Sequence, residues 1–117
     1  MRIGNSQVGD LAIIRLEGRM DAASEHDFDR ECVAVLKSGA GRVAVDLAGL
    51  SYISSAGVGA LLRLSGLFRD RNGEVLLCGA KGVVKSVLEI TRVSSLFRMC
   101  DSVDAALGEL GLTPGIA

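Results

Sequence analysis

Two adjacent serines, Ser54 and Ser55, occupy the position in this chain that best suits chemistry. They follow a segment that contains a short β-branched strand, and a helical pattern begins beside them near Ala56. Serine is a preferred helix N-cap, because its hydroxyl accepts a hydrogen bond from a free helix N–H. The start of a helix also favours an anion, including a phosphoryl group on its own serine. The pair therefore fits a structural cap, a phosphoryl acceptor, or both.

Two glycines, Gly57 and Gly59, follow the serines. Glycine in a first helical turn costs roughly 1 kcal/mol relative to alanine. That cost is tolerable where side chains must be absent so that another surface can approach. The glycines therefore predict close approach of a partner. They lack the third glycine and the Lys-Ser/Thr of a phosphate-binding loop, so nucleotide catalysis is not favoured.

The remaining reactive residue types do not form an enzyme-like pattern. The single histidine, His26, lies in an acidic helical segment, and no Gly-x-Ser-x-Gly elbow surrounds the serines. The cysteines form no CxxC pair and are expected to be small buried hydrophobes: Cys32, Cys78 and Cys100. No cluster has metal-ligand spacing. We therefore expect neither catalysis nor a metal or cofactor.

Length and composition fit one small globular domain. The chain has 117 residues, a net charge of -1 and 49% hydrophobic residues, which excludes general disorder and a basic nucleic-acid binder. We expect one domain over residues 1–117, with a core at about 2–110 and a tail at 111–117. No leader pattern and no long apolar run is present, so we expect a cytoplasmic protein without membrane insertion.

Hydrophobic periodicity predicts the order β-β-α-β-α-β-α-β-α. The predicted strands are residues 2–8, 11–16, 42–47, 74–78 and 96–99, and the predicted helices are 22–38, 56–71, 81–90 and 101–110. Residues 48–55 are expected to form a loop. The second helix should bury Val58, Leu61, Leu62, Ser65 and Phe68. This order predicts an α/β fold, a small mixed sheet of about four to five strands with about four helices packed against it.

The segment 46–62, Asp-Leu-Ala-Gly-Leu-Ser-Tyr-Ile-Ser-Ser-Ala-Gly-Val-Gly-Ala-Leu-Leu, resembles the signature of STAS domains. It is most similar to the bacterial anti-sigma factor antagonists, whose pattern ends in aromatic, apolar, Asp-Ser-Ser/Thr-Gly-Leu-Gly. Gly18-Arg19-Met20-Asp21 resembles their Gly-Glu-Leu/Ile-Asp segment. Later stretches resemble their later strand, helix and Gly-Leu-Phe segment: residues 75–78, 84–88 and 95–97. The resemblance covers nearly the whole chain in order.

This resemblance implies a partner-switching regulator that is not itself an enzyme. The unphosphorylated form would bind an anti-sigma factor that is also a serine kinase, and so release the sigma factor. Phosphorylation of Ser55 would end binding, and a PP2C-like serine phosphatase would restore it. The free protein would be a monomer. The expected partner contacts are Asp21, Ser54, Ser55, Gly57, Val58, Gly59 and Leu61.

Two positions depart from the pattern of the family. Ser54 replaces its Asp, and Ala56 replaces its second Ser/Thr. The first change adds a hydroxyl, which makes Ser54 the second choice of acceptor. Ser-Ala-Gly also occurs in STAS subunits of ABC-type lipid transporters. The alternative is therefore a STAS subunit or scaffold that binds a transporter ATPase or signalling complex without a phosphorylation switch.

Overall fold

A computed structural model describes residues 1–113 and has the predicted order of elements. The strands are β1 (Arg2–Val8), β2 (Leu11–Met20), β3 (Arg42–Ile53), β4 (Glu74–Cys78) and β5 (Arg98–Cys100). The helices are α1 (Ala22–Lys37), α2 (Ser55–Arg69), α3 (Gly82–Ile90) and α4 (Val103–Leu110), with a 3-10 turn at Val93–Leu96. Residues 114–117 of the expected tail lie outside the described residues.

The five strands form one mixed sheet in the order β1-β2-β3-β4-β5. β1 is antiparallel to β2, and the pairs β2–β3, β3–β4 and β4–β5 are parallel. Each parallel neighbour is reached through a helix, as parallel pairing requires. The predicted fold class, a mixed sheet of about four to five strands with about four helices, is confirmed.

The two faces of the sheet are covered unequally. One face packs against α1, α2 and α3 in the larger apolar cluster. The other face packs against the eight-residue α4, which covers positions such as Leu11, Ile13 and Ala44. Side chains alternate between faces along a strand. The second face of β2 therefore continues beyond α4 with the exposed Arg15 and Arg19.

The predicted loop at residues 48–55 is wrong, because β3 continues to Ile53. Its parallel register with β2 shifts twice in this stretch, so β3 carries two extra residues there. As a result Leu47, Leu50 and Ile53 are all buried, three positions apart rather than two. Bulged strands lose the period-two pattern by which a strand is recognised in a sequence.

Two smaller predictions also need correction. Leu62 is 38% exposed, and Leu64, at 1%, is buried in its place, whereas the other predicted inward residues of α2 are buried. The last strand begins at Arg98 instead of residue 96, because Val93–Leu96 forms the 3-10 turn and leaves Leu96 exposed. Neither change alters the topology.

Candidate functional site

The starts of α1 and α2 lie together at one edge of the sheet. β2 and β3 end side by side, with Met20 opposite Ile53, and each strand leads directly into its helix. The Ser54 N–H donates to the Met20 carbonyl at 2.9 Å and joins the two strand ends. The structure thus brings Asp21 close to Ser54 and Ser55, although more than thirty positions separate Asp21 from the two serines in the sequence. We call the edge formed by residues 18–21 and 51–55 the switch edge.

Ser54 is the N-cap of α2. Its backbone is extended, and its hydroxyl accepts a hydrogen bond from the Gly57 N–H at 3.3 Å. Asp and Ser are about equally good N-caps, because both offer an oxygen to the first free N–H groups. The replacement of the family's Asp by Ser54 therefore keeps the start of the helix intact while it removes a charge.

Ser55 is the first residue of α2 and is exposed. Within residues 1–113 its hydroxyl takes part in no hydrogen bond, unlike that of the half-buried Ser54. The first N–H groups of a helix have no partner inside the helix, and its dipole favours negative charge there. The position can therefore carry a phosphoryl group without disturbing the fold.

Asp21 serves as the N-cap of α1. Its carboxylate accepts from the Ala23 N–H at 3.1 Å, and its own N–H donates to the Ser24 hydroxyl at 2.9 Å. Asp21 also lines a shallow depression of about 470 Å³ together with Arg19 and Asp27. The residue keeps intermediate exposure, so it holds the local backbone in place and still reaches the surface.

Three of the expected partner contacts have little or no accessible surface. Leu61 is fully buried, Val58 is 7% exposed, and Gly57 is buried. A Cβ on Gly57 would lie 2.8 Å from Cγ1 of Ile53 and 3.0 Å from the Met20 carbonyl oxygen. Gly57 therefore lets α2 pack closely on the ends of β2 and β3, and it does not clear space for a partner.

Gly59 behaves differently from Gly57. It is partly exposed, and a Cβ there would meet only Nη1 of Arg63, at 3.7 Å. The outer surface of α2 near the switch edge therefore includes Ser55, Gly59, Leu62 and Arg63. Of these, the sequence reasoning selected Ser55 and Gly59, and it placed Leu62 in the core.

Arg63 connects α2 with α1. Its guanidinium makes ion pairs with Glu25 and with Asp29, the latter at 3.0 Å. The hydrogen bond to Glu25 and, to a smaller extent, the one to Asp29 raise the pKa of the Arg63 guanidinium. Two acidic residues of α1 therefore link this helix to α2 beside the switch edge through exposed ion pairs.

The sequence reasoning also missed Arg19 and Tyr52. They are partners in the parallel register of β2 and β3, and the Arg19 guanidinium lies 4.1 Å from the centre of the Tyr52 ring. Both residues lie in segments that resemble the family pattern, but nothing local indicates that they contact each other. Only the pairing of the two strands, including the bulges in β3, reveals that they meet.

The other candidate groups are placed as follows. His26 is exposed, and all three cysteines are buried. Burial raises the pKa of the Cys32 and Cys78 thiols to about 12. Within residues 1–113, no three His, Cys, Asp or Glu side chains gather as a metal site would require. In the same stretch no helix has both the length and the apolar character needed to cross a membrane.

A five-stranded mixed sheet, in which two helix starts flank an exposed serine, is the arrangement expected of a STAS domain. The STAS domain family model matches residues 3–106, and the chain belongs to this family. Among individual proteins, it is 33% identical over 106 residues to BtrV of Bordetella bronchiseptica. That protein is named "Putative anti-sigma factor antagonist BtrV", and the match covers 91% of each chain.

Solved structures share this fold. One is a Thermotoga maritima protein described as "a putative anti-sigma factor antagonist". It superposes with a TM-score of 0.86 at 18% identity, and the match covers 93% of this chain and 94% of the Thermotoga chain. SpoIIAA in its unphosphorylated form gives 0.74 at 17% identity, with 94% and 98% covered. A sulfate transporter family protein from Wolinella succinogenes gives 0.76 at 17% identity, with 87% and 85% covered. At these identities the likeness establishes the fold alone.

Proposed function

We propose that this chain is an anti-sigma factor antagonist that acts by partner switching. Unphosphorylated, it binds an anti-sigma factor that is also a serine kinase, and the sigma factor is released. Phosphorylation of Ser55 ends this binding, and a PP2C-like phosphatase reverses it. We also propose that the protein is a single-domain, cytoplasmic binding module and that it is a monomer when free. It rests mainly on the exposed Ser55 at the start of α2, in a chain 33% identical to BtrV.

The geometry favours Ser55 over Ser54 as the acceptor. A kinase must bring the acceptor hydroxyl within reach of a bound phosphate, so the hydroxyl has to be exposed. Ser55 is exposed, whereas the hydroxyl of Ser54 is partly buried and accepts from the Gly57 N–H. Modification of Ser54 would also replace the hydroxyl that caps α2. Ser54 therefore supports the acceptor and competes poorly with it.

Phosphorylation can switch binding through charge alone. A phosphoserine adds about -1.5 to -2 charges at neutral pH. At the start of α2 that charge is tolerated, because the helix dipole and free N–H groups stabilise it. Beneath a closely packed partner it must be desolvated, and Asp21 adds repulsion nearby. A penalty of about 3 kcal/mol would weaken binding more than a hundredfold.

The first test maps phosphorylation by mass spectrometry on the protein isolated from its own cells, with and without stress. We expect phosphate on Ser55, in an amount that changes with conditions. Phosphate on Ser54 instead would contradict the assignment of the acceptor. Complete absence of phosphate under all conditions would contradict the switch and favour a STAS subunit that is not regulated this way.

Binding variants test the electrostatic step. Ser55→Ala should bind the kinase partner constitutively, and Ser55→Asp should bind it at least tenfold more weakly while its unfolding midpoint stays near that of the wild type. Calorimetry with the purified kinase measures both affinities. Ser86→Asp is the matched control, because Ser86 is exposed on α3 and receives the same charge. Equal weakening by both Asp variants would contradict a local effect.

The second candidate function is an unswitched STAS subunit or scaffold for an ABC-type transporter ATPase or a signalling complex. It is favoured by the Ser-Ala-Gly sequence at residues 55–57. In that case Ser55→Asp would leave the affinity for a transporter ATPase unchanged, and no serine kinase would bind the wild-type chain.

A further inference from the structure

Arg19 is a fixed cation on the switch edge. It is exposed, it is paired in register with Tyr52, and its guanidinium lies 4.1 Å from the ring centre. A guanidinium over an aromatic face is held by cation–π attraction and stacking. The side chain is therefore oriented before any partner arrives, and less conformational entropy is lost on binding than for a free arginine.

Arg19 has no carboxylate within ion-pair distance in residues 1–113, although Asp21 and Asp27 line the same depression. The two neighbouring arginines on the same face of the sheet each have a carboxylate, Arg2 with Glu17 and Arg15 with Asp46. Arg19 makes no ion pair and no side-chain hydrogen bond in the described part of the chain. Its charge is therefore available to an acidic group that comes from outside the molecule.

Arg19 is also continuous with the residues of the proposed switch. Arg19 and Tyr52 directly precede the pair Met20 and Ile53, after which Asp21 and Ser54 begin the two helices. The Ser51 hydroxyl donates to the Gly18 carbonyl at 3.0 Å and links the strands on the far side of Arg19. Arg19 and Asp21 also line one depression, so a partner that contacts Asp21 would also approach Arg19.

We propose that Arg19, held on Tyr52, is a specificity-determining contact that pairs with a carboxylate of the anti-sigma factor. This rests on the proposed function. When a partner buries a guanidinium, the guanidinium loses its hydration. A well-placed carboxylate of the partner replaces the lost interaction. A partner with Lys or Arg at that point is repelled, so Arg19 both attracts the right partner and excludes wrong ones.

The sequence pattern of the family supports the choice of Arg19 as a specificity-determining contact. Its segment reads Gly-Glu-Leu/Ile-Asp where this chain has Gly18-Arg19-Met20-Asp21. Ser54 likewise replaces an Asp of the pattern, so both differences make the switch edge less negative. Antagonists that keep the Glu would favour a basic group at the same contact. This chain should therefore discriminate against their anti-sigma factors.

The experiment measures the affinity of the full chain for the purified serine-kinase anti-sigma factor encoded in the same genome. The variants are Arg19→Gln, Arg19→Glu and Tyr52→Leu, with Arg2→Glu as the matched control on the same sheet face. We expect Arg19→Gln to weaken binding about tenfold and Arg19→Glu more, since removal of one partner of a desolvated charge pair is costly. Arg2→Glu should change the affinity less than about threefold.

The outcomes separate this proposal from the proposed function. If the wild type binds the kinase and both Arg19→Glu and Tyr52→Leu bind it with unchanged affinity, the role of Arg19 is overturned and the antagonist function is not affected. Weakening only when ATP is bound would overturn the carboxylate and assign Arg19 to nucleotide phosphate. If the wild-type chain binds no serine kinase, both proposals fail. Circular dichroism and the unfolding midpoint confirm that each variant is folded.

Discussion

At the scale of single residues, two adjacent serines of identical chemistry have different roles. Ser54 caps α2 and Ser55 faces solvent. We expect Ser54→Ala to lower the free energy of unfolding by about 1 kcal/mol, because an N-cap is lost, and Ser54→Asp to preserve it. Urea denaturation followed by circular dichroism measures both.

Ser55→Ala is the control for this prediction, since it removes a hydroxyl that makes no hydrogen bond within the described residues. Its free energy of unfolding should stay within about 0.5 kcal/mol of the wild type, as for most exposed substitutions. Equal destabilisation by Ser54→Ala and Ser55→Ala would show that the capping difference does not exist in solution. The preference for Ser55 as acceptor would then lose its structural support.

At the scale of elements, the two glycines of α2 differ in what surrounds them. A Cβ at position 57 meets Ile53 and the Met20 carbonyl, whereas a Cβ at position 59 meets only the flexible end of Arg63. We expect Gly57→Ala to destabilise the protein by about 1–3 kcal/mol through overpacking. Gly59→Ala should stabilise it by up to about 1 kcal/mol through helix propensity.

Thermal and urea unfolding of the two variants provide the measurement, and each serves as control for the other. A Gly57→Ala variant as stable as Gly59→Ala would mean that α2 can shift away from the ends of β2 and β3. A larger side chain at position 57 would enter the core before it met any partner, so substitutions there do not probe partner access.

At the scale of the whole molecule, two buried thiols link stability to pH. Burial raises the pKa of Cys32 and Cys78 from 9.0 to about 12 in the folded protein. The unfolded chain binds fewer protons at these sites above pH 9, so ionisation favours the unfolded state there. The associated stability is fully present below pH 9 and is lost as the pH rises toward 12.

Urea midpoints between pH 7 and pH 10.5 test this dependence. We expect a flat profile up to about pH 8.5, which is near the ordinary range of thiol pKa values, and a decline above it. Cys32→Ala, compared with its own value at pH 7, should show a shallower decline. A decline of unchanged slope in Cys32→Ala would assign the effect to other groups. Slow alkylation of the folded protein at pH 8 provides independent evidence.

Much of the fold follows from local sequence patterns. The helical spacing of Phe28, Cys32, Val35 and Leu36 predicts one inward face of α1. The first three are buried, and Leu36 is partly buried. Gly39 follows α1 with a positive φ, as is typical of a glycine that ends a helix. β4 and the antiparallel hairpin of β1 and β2 are also confirmed. These features depend on neighbours a few residues apart, so they leave a readable trace in the sequence.

The sequence by itself determined the order of elements and the mixed sheet, and it pointed to the serine pair at the start of α2 as the candidate site. Only the tertiary structure decided that β3 continues to Ile53, that Gly57 packs on the ends of β2 and β3, and that Arg19 lies on Tyr52. The physical reason is the distance along the chain over which each interaction acts. Propensity and capping act between near neighbours, whereas bulges, burial and the availability of a charge depend on strands and helices that meet across the fold.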